Sequence, residues 1–278
     1  LGPQSGPAQG DLSRQRGQAA EAPMNFFDTN CWLGPWPFAP IKTGNTFPPR
    51  KGTGYDIQQS LVSSFDSIFQ TDPMPGNRSV AEAIKRRKSW HLLPVINPGT
   101  PAWQDHFEEV TSQNPVMAIR MLPAYHGFSL DSPALRKLVE TAESKNLRLV
   151  IVARLVDERH EHHGVSIKPV SIKALSLFLA QFPKLNPLIQ GLDIHQLHEL
   201  SETGLGFSTD TSIVEWEDTL KVMKKCLPVS RILFGSLAPL QVTQAQVDKV
   251  RLSSVSLSQR DCVAYGNATR YFKTRISK

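Results

Sequence analysis

Short apolar segments recur along the chain, and each one ends in polar residues. Eight of them have the length of buried strands. They cover residues 25–30, 60–64, 92–97, 117–122, 147–154, 187–192, 205–210 and 231–236. Amphipathic patterns with helical spacing lie between them, for example over residues 132–145, 171–181 and 216–226. Among these helical segments the start signal is clearest at Ser132, because Pro133 then stands at a favourable first helical position.

The alternation of these two patterns predicts the fold class. Apolar runs that alternate with helices of about 10–15 residues indicate a parallel sheet. Eight such units in about 250 residues favour a closed (β/α)8 TIM barrel over an open sheet. No Gly-x-Gly-x-x-Gly motif follows the first strand, which argues against a dinucleotide-binding domain. We therefore predict an α/β protein with one barrel domain over residues 24–278.

The first 23 residues differ from the rest of the chain. They are rich in Gly, Gln, Ala and Pro and contain no apolar core between charged and small flanks. This composition is not that of a standard signal or transit peptide. We predict a disordered tail over residues 1–23.

Composition narrows the classes of function. Hydrophobic residues make up 40% and charged residues 20% of the 278 residues, as in soluble globular proteins. No run of about 18 apolar residues occurs, so we expect no membrane span. Three cysteines lie far apart with no Cys-x-x-Cys pair, which indicates a reducing compartment, and we expect the cytoplasm.

The net charge of +6 raises the question of nucleic-acid binding. The longest basic run, Lys85–Lys88, falls in a helical pattern that starts near Ser79. No aromatic stacking residues are interleaved with it, so a solvated helix face is favoured over a nucleic-acid site. The expected partner is a small molecule, and whether the chain forms a homo-oligomer stays open.

Polar clusters follow several predicted strands. In barrels of this type the active site is built at the carboxyl ends of the strands. The candidate catalytic residues at these ends are Asp28, His126 and Asp157. The candidate substrate-binding residues are Asn30, Arg120, Tyr125, Arg154, Arg159 and Asp210.

Three motifs carry a resemblance to a known family. They are Phe27-Asp28-x-Asn30 after the first strand, Arg231-Ile-Leu-Phe-Gly-Ser236-x-x-Pro239 at the eighth, and Tyr265-Gly-Asn-Ala-x-Arg270-Tyr-Phe272 near the end. With these motifs the chain resembles the amidohydrolase superfamily, in its branch similar to aminocarboxymuconate-semialdehyde decarboxylase. The resemblance implies a barrel enzyme over about residues 25–272.

The departures from the family pattern concern its metal ligands. The resemblance places the family's His-x-His at Asn30 and Trp32, and its later ligands near Val152–Ala153, Gln190–Gly191 and Leu237. Indole cannot ligate a metal, and an amide oxygen is a poor substitute for imidazole. We therefore expect no cofactor at the usual zinc site.

A divalent metal, zinc or manganese, at a rebuilt site stays open. His160, His162 and His163 lie beside Asp157, and His160 and His163 would share a helix face at i, i+3. An exposed loop or lid without a functional metal is the favoured interpretation of this composition.

A metal-free site would depend on the arginines. Guanidinium groups of Arg120, Arg154 and Arg159 could clamp a carboxylate or phosphate. Asp28 would then activate water, while His126 and Tyr125 stabilise an oxyanion. In the alternative reading Asp28 and Arg120 form a buried ion pair that caps the barrel.

Other candidates have structural explanations. Trp32, Trp36 and Phe38 are expected to plug the barrel mouth or to pack on a neighbouring subunit. His195 and His198 lie on a predicted surface helix.

Two functions remain in competition. One is a hydrolase of lactones, amides or related C–O and C–N bonds, or a decarboxylase, that acts on a small anionic substrate without the usual zinc site. The other is a catalytically inactive barrel that serves as a ligand-binding or interaction protein.

Overall fold

The computed structural model describes residues 23–38, 51–52, 54–156, 162 and 167–272. Of the tail predicted over residues 1–23, all but Pro23 lies outside them. Nine strands occur in the described part: β1 (Met24–Leu33), β2 (Lys51–Gly52), β3 (Tyr55–Ser64), β4 (Trp90–Leu92), β5 (Ala118–Met121), β6 (Arg148–Val152), β7 (Leu188–Gln190), β8 (Ser208–Asp210) and β9 (Ile232–Leu233). Each of the eight predicted strands corresponds to one of them, and only the short β2 was missed.

The helices follow the predicted alternation. They are α1 (Asp66–Phe69), α2 (Met74–Ile84), α3 (Trp103–Gln113), α4 (Pro123–His126), α5 (Pro133–Ser144), α6 (Ile172–Gln181), α7 (Ile194–Ser201), α8 (Thr219–Cys226), α9 (Thr243–Arg251), α10 (Leu257–Asp261) and α11 (Asn267–Phe272). A π-helical turn, Cys262–Gly266, joins α10 to α11.

Some helix limits differ from the predictions. The helix predicted from Ser79 begins at Met74 and ends at Ile84, so the basic run follows it instead of lying on it. The Ser132 side chain caps α5 by accepting from the Leu135 amide, as the Ser-Pro signal predicted.

The strands form a ring in two parallel sheets that join each other. β1 pairs with β3 and β3 with β4, and the second sheet runs β5-β6-β7-β8-β9, all parallel. Between the segment after β4 and β5, Arg120 donates its amide to Pro94 O at 2.8 Å, and Ile96 N donates to Arg120 O at 2.9 Å.

The ring closes between the segment after β9 and β1. Thr29 N donates to Phe234 O at 3.0 Å, and Trp32 N donates to Ala238 O at 2.9 Å. The eight parallel strands β1 and β3–β9 therefore form a closed barrel, which confirms the predicted fold class, while β2 pairs antiparallel on the outside of β3.

The amino-terminal half of the barrel interior is apolar. Seven barrel strands each contribute a buried side chain from the strand or the residue next to it: Phe27, Leu61, Leu93, Ala118, Val150, Leu188 and Leu233. Helix α11 closes this end of the barrel, because Tyr271 and Phe272 belong to the same cluster. The Tyr271 hydroxyl also donates to Asn186 O at 2.7 Å.

Among the described residues, no helix is both long enough and apolar enough to cross a bilayer.

Candidate functional site

A layer of polar side chains crosses the barrel interior at the carboxyl ends of the strands. Along a strand, side chains on the same face lie two residues apart. Three residues of the apolar layer are each followed, two positions later, by a buried polar residue. Leu61 is followed by Ser63, Ala118 by Arg120 and Leu188 by Gln190. Asn30 and Asp210 complete this polar layer from β1 and β8.

Arg120 is the centre of the polar layer. Its side chain is completely buried. Nη1 donates to Ser63 Oγ at 2.9 Å, and Nη2 lies at 3.3 Å from Thr29 O, 3.2 Å from Asn30 Oδ1 and 3.0 Å from Gln190 Oε1. Burial lowers the pKa of Arg120 to about 9, so the guanidinium stays charged at neutral pH.

Asp210 is the counter-charge of Arg120, and the side chain of Asn30 bridges the two. Asn30 Nδ2 donates to Asp210 Oδ2 at 2.9 Å, while Asn30 Oδ1 accepts from Arg120. The Ser212 hydroxyl donates to Asp210 Oδ1 at 2.8 Å. Burial raises the pKa of Asp210, while the bonds from Ser212 and Asn30 act in the opposite direction.

Asp28 lies in a neighbouring network that ties β1 to the end of β9. Ser236 donates its amide to Asp28 Oδ1 at 2.9 Å and its hydroxyl to Oδ2 at 2.5 Å, and Asn30 N donates to Oδ1 at 3.0 Å. Burial raises the pKa of the Asp28 carboxyl against the effect of these bonds. Within the described residues Asp28 forms no ion pair with Arg120, so the capping ion pair considered above is replaced by an amide-bridged arrangement.

Gly235 is required by this packing. A Cβ at this position would lie 2.5 Å from Asp210 Oδ2 and 3.0 Å from the Cβ of Asn30. The glycine in the Gly-Ser motif after the eighth strand therefore allows the carboxylate of Asp210 to approach the backbone.

An apolar layer covers the polar one on its outer side. Trp32 and Phe65 stack with centroids 5.5 Å apart and an interplanar angle of 6°. Both side chains are completely buried. The same cluster contains Ile68, Val95, Leu122, Val152, Leu155, Ile213 and Leu237, with Trp36 and Tyr125 packed on its edge. The expected aromatic plug at the barrel mouth is therefore present.

Trp32 joins the two layers. Its Nε1 donates to Asn30 Oδ1 at 2.9 Å, and the Arg120 guanidinium carbon lies 4.2 Å from its ring centroid. A cation held against the face of an indole is attracted by the ring quadrupole. The plug thus contacts the buried charge directly.

Lys249 supports the loop after β8 from outside. Its ammonium donates to three carbonyl oxygens, those of Thr211, Ser212 and Val214, at 3.0, 3.3 and 3.0 Å. This contact holds the loop that carries Ser212 against the barrel end.

His126 and Tyr125 lie apart from the polar layer. His126 Nε2 is 3.0 Å from Ser67 O, so the imidazole connects α4 to α1, and burial lowers its pKa. The Tyr125 ring contacts Phe69 edge-on at 5.9 Å. The described contacts of both residues are with α1 and the apolar plug.

Arg154 has a described partner outside the polar layer. Its Nη2 lies 3.4 Å from Asp193 Oδ2, the carboxylate that caps α7. Arg120 and Arg154 have different described partners, so these two members of the expected arginine cluster do not bind a common group among the described residues. Arg159, the third, lies outside the described residues.

The histidine-rich loop is only partly described. Asp157, His160 and His163 lie outside the described residues, and the ring of His162 stacks on Phe38 with centroids 5.4 Å apart. In the described ranges no group of three or more His, Cys, Asp or Glu side chains could hold a metal ion.

The barrel centre does not fit the metal that the family resemblance implies. At the expected ligand positions Asn30 accepts from Arg120 and Trp32, Gln190 accepts from Arg120, and Leu237 lies in the apolar plug. The oxygens of Thr29, Asn30 and Gln190 already bind the Arg120 guanidinium, and this positive charge would repel a metal ion placed at the same point.

Sequence reasoning missed several members of this site. Ser63, Phe65 and Ser236 are small polar or aromatic residues that gave no chemical signal, although the two-residue period from Leu61 points to Ser63 and Phe65. Cys31, next to Asn30 on β1, is buried, and burial raises the pKa of its thiol well above the usual value.

Comparison with known proteins finds similarity in structure only. No protein-family model matches the chain, and no curated protein matches it in sequence. The solved structures that match include 5-carboxyvanillate decarboxylase from Sphingomonas paucimobilis, with a TM-score of 0.66 and 15% identity, over 90% of this chain and 99% of that one. The 2,6-dihydroxybenzoate decarboxylase from Rhizobium matches with a TM-score of 0.64 and 13% identity, over 91% and 99%.

A third matching structure contains manganese. The 5-carboxyvanillate decarboxylase from Novosphingobium aromaticivorans, solved with manganese and 4-hydroxy-3-methoxy-5-nitrobenzoic acid, matches with a TM-score of 0.65 and 10% identity, over 92% and 97%. The names of these proteins describe decarboxylases of aromatic carboxylates. The chain therefore has the (β/α)8 barrel fold of these decarboxylases.

Proposed function

We propose that this chain is a catalytically inactive barrel that serves as a binding protein. The observation that carries the proposal is the Trp32–Phe65 stack, which fills the carboxyl end of the barrel above Arg120. In barrels of this fold that end is where substrates bind and react. Here it is occupied by the chain's own side chains.

The charge at the barrel centre supports the same proposal. Arg120 holds a permanent cation among the oxygens of Thr29, Asn30 and Gln190. This internal cation stands near positions that the family resemblance assigns to metal ligands. Because it is covalently attached and cannot exchange with solvent, it stabilises the strand ends without providing an open coordination position, which a catalytic metal requires.

The carboxylates are equally engaged. Asp28 accepts three hydrogen bonds and Asp210 accepts from Asn30 and Ser212, with both side chains buried. A general base must come within hydrogen-bond distance of the proton that it removes. Neither carboxylate can contact a substrate unless the apolar plug moves.

A second candidate is decarboxylation or hydrolysis of a small anionic substrate, and the fold likeness to decarboxylases favours it. In this reading the plug opens, Arg120 binds the substrate carboxylate and Asp28 acts as the base. The arrangement requires displacement of Trp32, a side chain with both a stacking partner and a hydrogen bond.

A turnover assay with metal analysis separates the two candidates. The full chain, with and without added Mn²⁺, would be incubated with 5-carboxyvanillate and 2,6-dihydroxybenzoate, and released CO₂ would be measured beside a barrel decarboxylase as positive control. We expect no CO₂ above the blank and far less than one manganese per chain. Turnover that disappears in a folded Asp28→Asn variant would instead establish the enzyme.

A further inference from the structure

The amino-terminal end of the barrel carries a large cavity that the proposed site does not use. Its volume is about 780 Å³, within the range of roughly 300–1,000 Å³ that is typical of small-molecule sites. It lies between the start of β1, the turn before β3, the end of α9 and the α10 region. Its lining residues include Met24, Gly54, Arg251, Leu257, Arg260 and Tyr265.

Two arginines on its wall are held in place by the fold. Arg260 Nη1 donates to Arg251 O at 2.6 Å, and Arg260 Nε donates to Val255 O at 3.2 Å. Arg251 Nη1 donates to Asp248 Oδ1 at 2.9 Å, and its guanidinium lies against Gly54, where a Cβ would come within 2.7 Å. Their positions are therefore set before any ligand arrives, which lowers the entropic cost of binding.

Arg260 retains hydrogen-bonding capacity. A guanidinium has five N–H donors, and its two described bonds use two of them. The remaining donors form the planar arrangement that binds carboxylate, sulfonate or phosphate oxygens. Among the described lining residues Asp261 is the one carboxylate beside the two arginines, and Asp248, outside the lining, pairs with Arg251.

Apolar side chains at the edge of the cavity are open to water. The rim residues Leu252 and Leu257 are 74% and 60% exposed, so an apolar ligand body placed against them would gain from the burial of apolar surface. Tyr265 and Gly266 come from the π-helical turn between α10 and α11, and single π turns occur frequently at functional sites.

We propose that this cavity binds a small organic anion with an apolar body, with Arg260 and Arg251 on its acidic group and Leu257, Leu252 and Tyr265 around its body. The proposal deepens the proposed binding function by giving its ligand site and ligand class. The site lies at the opposite end of the barrel from the polar layer and needs no change in that layer.

A pair of fluorescent probes tests this assignment. 8-Anilinonaphthalene-1-sulfonate and N-phenyl-1-naphthylamine share an apolar body, but only the first carries a sulfonate. We expect saturable one-to-one binding of the sulfonate by the full chain. Arg260→Met should weaken it at least tenfold and leave the neutral probe unchanged, whereas Leu257→Ser should weaken both probes.

Two further variants keep the test decisive. Arg136→Met, an exposed arginine on α5, is the matched control and should change neither affinity. If Arg260→Met unfolds, as melting curves would reveal, Asp261→Asn provides the opposite sign: loss of an exposed carboxylate at the cavity should tighten sulfonate binding severalfold without affecting the neutral probe.

The outcomes are distinct from those of the turnover assay. An unchanged sulfonate affinity in Arg260→Met overturns the proposed ligand site. Where that variant does not fold, an unchanged sulfonate affinity in Asp261→Asn overturns it. A loss of affinity in Arg136→Met as large as that in Arg260→Met also overturns it. These measurements contain no catalytic step, so their failure leaves the proposed absence of catalysis intact. CO₂ release would likewise leave the binding result unchanged.

Discussion

The guanidinium carbon of Arg120 lies 4.2 Å from the ring centroid of Trp32, and both side chains are completely buried. The indole covers the charge on its outer side, while Ser63, Asn30 and Gln190 bind it laterally. Trp32 and Arg120 both donate to Oδ1 of Asn30, so a substitution of either residue should change the packing of the whole carboxyl end of the barrel.

Removal of the buried charge should be costly. We expect Arg120→Met to lower the free energy of unfolding by about 3–5 kcal/mol, because the acceptors around it lose their donor and Asp210 loses its counter-charge. Urea titration would measure this change. The exposed Arg136→Met control should stay within about 0.5 kcal/mol, and a similarly small loss for Arg120→Met would contradict the role of the internal cation.

Removal of the plug should open a cavity. We expect Trp32→Ala to cost about 3–5 kcal/mol, the range for a buried aromatic side chain that is cut back to alanine. Trp36→Ala should cost less because Trp36 is partly exposed at the edge of the same cluster. Thermal unfolding of both variants provides the comparison, and equal losses would show that the stack with Phe65 has no special weight.

The raised pKa of Asp28 predicts a pH dependence with a definite sign. The folded state favours the protonated carboxyl, so its contribution to stability is full below the ordinary aspartate pKa of 3.8 and is lost as pH rises through the higher pKa of the folded state. The Asp28→Asn variant has no carboxyl group to ionise at this position, so its stability does not show this loss. The free energy of unfolding of the variant minus that of the wild type should therefore increase with pH across this window and then stay constant.

Chemical denaturation at pH values from 3.5 upward would follow this difference. Asp105→Asn, which removes a carboxylate from the first turn of α3, controls for a change of one surface charge. A difference that decreases with rising pH would mean that hydrogen bonds from Ser236 and Asn30 dominate over burial at Asp28.

Restoring histidines should not restore metal binding. The double variant N30H/W32H returns two imidazoles to the end of β1, but Arg120 remains beside them. We expect less than 0.1 manganese per chain after dialysis, since a divalent ion near a buried guanidinium is repelled. Stoichiometric manganese in the double variant would show that Arg120 can move aside.

Lys249 should matter for the loop after β8. Lys249→Met leaves the carbonyls of Thr211, Ser212 and Val214 without their ammonium donor, and we expect a loss of about 1–3 kcal/mol. The exposed Lys221→Met on α8 is the matched control. Melting midpoints measure both, and an unchanged midpoint for Lys249→Met would mean that water replaces the ammonium.

Much of the architecture could be predicted from the sequence. The positions of the eight barrel strands and the cap at Ser132 follow from periodicity and local backbone chemistry, which are properties of short segments. The loss of ligand chemistry at Trp32 and Leu237 was also visible, because no side-chain rotation turns indole or leucine into a metal ligand.

The composition of the site depended on tertiary structure. Asp210 lies at the end of β8 and Arg120 one residue before the end of β5, whereas Asp28 and Asn30 lie within β1. The sequence could not distinguish a solvent-facing clamp from a buried network. That distinction depends on what lies above Arg120, and the answer comes from Trp32 on β1 and Phe65 directly after β3.

The sequence by itself determined that strands and helices alternate eight times and that the usual ligands are missing, because these are matters of residue type and spacing along the chain. Only the tertiary structure decided that Arg120 is sealed beneath an aromatic stack, that His126 and Arg154 have other partners, and that a cavity lies at the opposite end. Those relations join residues from about 30 to more than 200 positions apart, and only the closure of the barrel brings them into contact.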